Sequence, residues 1–140
     1  VLAALHALGE ALVERLDDLR EGGAVSDPLR GVLGEVRAAR AELVAELGWA
    51  QERSGELPHA GNREWAALQS LGDRFARLAR GEGALVRRLL DGDQVWAEAL
   101  RAAREGDWEE EDARLLARLA NHLAETRARL QPYTDEDPAP

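Results

Sequence analysis

Apolar residues recur three and four apart through most of this chain, and that spacing leaves room for helices and little else. Leu2, Leu5, Leu12, Leu16 and Leu19 keep the phase, with Gly9 in the slot between Leu5 and Leu12. Leu29, Leu33, Val36, Leu43 and Leu47 repeat it with Arg40 in one slot, and Leu115, Leu116, Leu119, Leu123 and Leu130 repeat it again. A helix turning every ~3.6 residues gathers such positions on one face. No segment alternates apolar and polar residues, and β-branched residues are sparse, so strands have no foothold. The residues between the leucines are mostly Ala, Glu and Arg, which are strong helix formers.

All 18 basic residues are arginine, and lysine, isoleucine, methionine and cysteine are absent. GC-rich coding explains this better than selection for bidentate guanidinium chemistry. The formal charge of −9 argues against direct binding of this segment to nucleic acid or to an anionic membrane, since phosphate recognition needs a basic face. No apolar run approaches the ~18–20 residues needed to span a bilayer. Without cysteine there is neither a disulfide framework nor a thiolate metal site. The expected setting is cytoplasmic.

The spacing predicts helices over residues 1–20, about 28–49, and 63–80 with Asn62 as its cap. A short piece at 84–90 stops at Asp91-Gly92-Asp93, another segment follows Asp93 as its cap, and a last helix runs from Asp107 to Gln131-Pro132. Gly22-Gly23, Ser26-Asp27-Pro28 (Asp27 as the cap, proline at the first helical position) and a polar loop over 50–61 divide them. The fold expected is all-α: an antiparallel bundle of four to five helices over residues 1–132, with a disordered acidic tail over 133–140. Leu2 and Leu5 are already in phase with no capping side chain ahead of them. The chain therefore reads as the C-terminal part of something longer.

No catalytic motif stands in the sequence. Ser26 suits a helix cap, and His59 beside Pro58 lacks a nucleophile to activate. His6, Glu10 and Glu14 share one side of a helix, and His122 precedes Glu125 by three. Neither arrangement matches the paired Glu-x-x-His sets of di-metal bundles, so no metal or other cofactor is expected. Residues 99–120 resemble a tetratricopeptide turn without the repeat period. Residues 89–110 resemble part of a helical cobalamin-binding module but lack its Glu-His pair. Neither resemblance carries residues over.

Two features break the pattern. Trp49, Trp65 and Trp108 fall at helix ends that an antiparallel bundle brings to one pole, beside Arg53 and His59, whereas Trp96 is expected toward the other pole. Indole walls with a few polar groups suit a small apolar or cationic ligand. Arg40 in a leucine stripe suits either a snorkelling side chain or a charge that fixes register across an interface. The leading expectation is a non-enzymatic interaction domain, regulatory and dimeric or docked on a protein partner. Its candidate interface is Leu5, Leu12, Leu19 and Arg40. The alternative is an effector-binding domain with a pocket at Trp49, Arg53, His59, Trp65 and Trp108.

Overall fold

The computed structural model describes residues 1–56 and 81–134, and the expected helix over 63–80 with its Asn62 cap lies outside them. Four helices occur among the described residues: α1 (Leu2–Glu21), α2 (Asp27–Ser54), α3 (Gly81–Ala103) and α4 (Glu110–Thr134). No described residue is in a strand. The helices form a ring in which α1 packs on α2, α2 on α4, α4 on α3 and α3 on α1. Every neighbouring pair is antiparallel. The start of α1, the ends of α2 and α3 and the start of α4 share one pole, as the contacts of Trp96 with Leu5 and of Arg53 with Asp112 require.

Local chemistry sets the helix ends. Ser26 caps α2, its hydroxyl accepting from the Leu29 amide at 3.4 Å, with Pro28 in the first turn. The cap is therefore Ser26 and not the expected Asp27, which is the first residue of the helix. Gly55 ends α2 in the left-handed region at φ 76°, a conformation glycine adopts without Cβ cost. The helix thus runs five residues past Trp49, through part of the expected loop. The first amides of α1 find their acceptor across the pole. Glu56 accepts from the backbone N–H of Leu2 at 3.1 Å and of Ala3 at 3.3 Å.

Two expected boundaries move. Residues 91–93 do not interrupt α3, because the Asp93 carboxylate is held by a neighbouring helix and does not compete for its own backbone. Helix α4 begins at Glu110 and runs through Pro132 to Thr134. The proline lies in the last turn, where only one ladder bond is forfeited. Thr134 is fastened there by its hydroxyl donating to the Gln131 carbonyl at 2.7 Å, and its own carbonyl accepts from Arg87 at 2.6 Å. Tyr133 and Thr134, expected in the tail, are thus helical. The tail's remaining residues, 135–140, lie outside the described residues.

Two apolar clusters fill the ring. The larger, near the shared pole, holds Leu5, Leu8, Leu12, Leu47, Trp96, Leu116 and Leu119 among others. The smaller holds Leu16, Leu29, Leu33, Val86 and Leu130 among others. Gly9 fills its leucine slot for a steric reason. A Cβ there would lie 2.7 Å from Val44 and 2.8 Å from the Trp96 ring. Its absence lets the indole lie against the α1 backbone and donate to the Leu5 carbonyl at 3.0 Å. Trp96 is therefore completely buried on the α1 side, near the same pole as Trp49 and Trp108, because α3 continues unbroken past Asp93. No described helix is long and apolar enough to cross a membrane.

Candidate functional site

A layer of charge separates the two apolar clusters. Along α2 the buried face reads Val36, Arg40, Leu43; along α3 it reads Leu89, Asp93, Trp96; along α4 it reads Leu119, His122, Thr126. Each helix thus places one ionisable side chain at the same level. Arg40 is only 1% exposed, so it does not snorkel. Its Nη1 and Nη2 donate to the two carboxylate oxygens of Asp93 at 2.8 and 2.7 Å, and its Nε donates to His122 Nε2 at 2.9 Å. The guanidinium carbon lies 5.3 Å from the centre of the Trp96 ring, within cation–π range.

This geometry fixes protonation. An imidazole nitrogen accepting from a guanidinium carries no proton on that nitrogen. Burial and the Arg40 charge together hold the His122 pKa at about 4, down from 6.5. His122 is therefore a neutral acceptor near pH 7. The layer has a fork-to-carboxylate pair, a satisfied third donor and a stacked indole, which is what a buried charge requires. Its members bond to one another, and only Asp93 also reaches the wall of a surface groove, between α3 and α4, so the layer is arranged to hold three helices in register.

The tryptophan pole divides. Trp49 is 59% exposed on the α2–α4 face, where it lines a cavity of about 220 Å³ with Glu46, Arg53, Arg114, Leu115 and Arg118. Trp108 does not join it. Its indole donates to the Ala103 carbonyl at 2.7 Å and packs on the larger apolar cluster, closing the turn between α3 and α4. Trp65 and His59 lie outside the described residues.

Around Trp49 the charges alternate in sign. Arg118 donates both terminal nitrogens to Glu46 at 2.8 Å each, and Arg53 reaches Asp112 at 3.2 Å. Hydrogen bonding to Arg118 lowers the Glu46 pKa, outweighing desolvation. Arg114 pairs with Glu110. On the other side of Trp49 a groove of about 450 Å³ runs between α1 and α2 past His6, Glu10, Gly48 and Glu52.

The expected interface residues sit inside the molecule. Leu5, Leu12 and Arg40 are 1%, 0% and 1% exposed, enclosed by the chain's own helices, and Leu19 packs partly buried on the smaller cluster. The heptad-like seam of α1 therefore faces this chain's own core. His6 Nδ1 lies 3.4 Å from Glu10 Oε1, and His122 is turned to Arg40. Among the described residues no three His, Asp or Glu side chains gather to hold a metal.

Sequence reasoning singled out Arg40 but missed both of its partners. Asp93 and His122 occupy apolar-stripe positions of α3 and α4, as Arg40 does of α2. That shared placement is the signal that would have found them. Comparison with known proteins returned no match to a family model, to a curated protein or to a solved structure.

Proposed function

We propose that this chain is a non-enzymatic helical interaction domain that self-associates through the α2–α4 face centred on Trp49. One observation carries the reading: an indole left mostly in water, lining one cavity with Leu115, Glu46, Arg53, Glu111, Arg114 and Arg118. Tryptophan and arginine dominate the energetics of protein interfaces. A patch of mixed sign can be self-complementary, since a two-fold axis that sets an arginine of one copy against a carboxylate of the other makes the reciprocal pair as well. The ionisable groups with the most developed geometry, Arg40, Asp93 and His122, are engaged inside the fold and so support a structural role.

Sedimentation velocity across a concentration series tests this. The expected result is a reversible monomer–dimer shift that Trp49→Ala weakens at least tenfold. A strict monomer at high micromolar concentration overturns it.

A second reading rests on the α1–α2 groove. Its wall is the exposed Trp49 and its rim carries Glu10 and Glu52, a combination suited to a small organic cation. Titration with phenyltrimethylammonium should quench Trp49 fluorescence if this reading holds. An unchanged signal, compared between the native chain and Trp49→Phe, removes it.

A further inference from the structure

The α3–α4 seam carries a different kind of surface. A groove of about 270 Å³ runs there, lined by the half-buried Ala97 and Ala120, the exposed Ala124, and the exposed Arg101, Arg104 and Arg127. The buried Leu100 and Leu123 line it too. Elsewhere Arg37 pairs with Asp17, Arg53 with Asp112, Arg118 with Glu46 and Arg129 with Glu35, while the exposed Arg87 donates to the Thr134 carbonyl. On this seam the matching stops. Among the described residues Arg101 and Arg104 make no side-chain hydrogen bond or ion pair, and Arg127 reaches only the neutral Gln94 amide at 3.5 Å. The single carboxylate lining the groove, Asp93, is committed to Arg40.

Three unmatched cations on one groove are notable in a chain of net charge −9. The helix dipole accounts for Arg101 and Arg104, which lie at the C-terminal end of α3. It does not account for Arg127, well inside α4. The alanine lining is apolar, and between two antiparallel helices such a lining admits the ridge of a third helix. From Gln94 to Arg104 the groove extends about 15 Å along α3, matching two to three turns of a helix.

We infer that the α3–α4 groove docks an acidic amphipathic helix from another protein, its apolar ridge on the alanines and its carboxylates on Arg101, Arg104 and Arg127. This rests on the reading of the chain as an interaction domain and adds a second face with a partner of defined charge. Because its exposed charges are of one sign, the groove does not pair with its own copy as the Trp49 face does. The two faces therefore have separate tests.

The probe is a fluorescein-labelled synthetic helix of about four turns, leucine and alanine on one face and glutamate on both flanks. It is compared with analogues carrying glutamine or lysine in place of glutamate, in anisotropy titrations against the whole chain. Exposed ion pairs each change affinity by a factor of roughly 1.5 to 5. The glutamine analogue should therefore bind about tenfold more weakly than the glutamate helix, and the lysine analogue weaker still. The triple variant Arg101→Gln, Arg104→Gln, Arg127→Gln should weaken the glutamate helix by a similar factor. The corresponding triple lysine variant should retain binding within about threefold, since charge is kept. All three positions are exposed, and circular dichroism confirms that the variants fold. Trp49→Ala should leave peptide binding unchanged while reducing self-association. Equal binding of the glutamate and glutamine helices, an unaffected glutamine triple variant, or no binding of the glutamate helix overturns the inference. If self-association through Trp49 survives that result, the reading of the Trp49 face stands and only this groove loses its partner.

Discussion

The interior of the bundle and its α2–α4 face are built from the same three ingredients: a tryptophan, arginine and carboxylate. Inside, Arg40 meets Asp93 and Trp96 with nothing left over, and the group is sealed between two apolar clusters. Outside, Arg53 and Arg118 meet Asp112 and Glu46, while Trp49 stands in water. The difference is dielectric. A buried charge that loses its partner keeps the whole desolvation penalty, whereas an exposed one exchanges its partner for water. Identical chemistry therefore specifies the fold in one place and remains available for contact in the other.

Breaking the buried side of this contrast should give the largest effects. Asp93→Ala strands the Arg40 charge and should cost about 3–5 kcal/mol in urea denaturation. Replacing the layer as a unit, Arg40→Met with Asp93→Leu and His122→Leu, should recover most of that loss, because no charge is left buried. Trp96→Ala should cost a similar ~3–5 kcal/mol through the cavity it opens and the lost bond to Leu5. Trp49→Ala, by contrast, should stay within about 0.5 kcal/mol of the native chain. Equal costs for the two tryptophans would erase the comparison.

Acid sharpens it. With the His122 pKa at about 4 in the folded chain and 6.5 as its ordinary value, the unfolded chain binds a proton between these values that the folded chain refuses. This contribution is full above pH ~6.5 and is lost as pH falls toward 4, amounting to about 3 kcal/mol. Thermal melts of His122→Leu should show a flatter decline over that window. A smaller effect is expected at Gly9. Gly9→Ala gains about 1 kcal/mol of helix propensity but drives a methyl into Val44 and Trp96, an overpacking cost of ~1–3 kcal/mol. The net should be a modest destabilisation in urea melts. Stabilisation would mean that Trp96 is less tightly held than its contacts require.

Much of the fold was legible because leucine spacing, glycine stops and the Ser26-Asp27-Pro28 helix start are local signals. The misplacements share a cause: a residue was read by its own propensity while a distant partner decided its state. Asp93 looks like a cap until Arg40, 53 residues away, claims its carboxylate. The start of α1 looks uncapped until Glu56 supplies acceptors to Leu2 and Ala3. The seam of α1 has the pattern of an intermolecular stripe because periodicity records which face is covered and not what covers it. Arg40 was legible as an anomaly, but its meaning was not, since that depended on three helices meeting at one level. The Trp49 face was half legible: position at a helix end placed the residue at the pole, but exposure belongs to packing.

If association resides on the Trp49 face, the buried Arg40 layer has only to hold the bundle together. Sedimentation equilibrium on the native chain, on Trp49→Ala and on the Arg40→Met, Asp93→Leu, His122→Leu chain tests both halves together. The account predicts that the native chain and the layer variant dimerise with the same affinity and that Trp49→Ala is monomeric though fully folded. A native chain that stays monomeric, or a Trp49→Ala chain that dimerises unchanged, would contradict it.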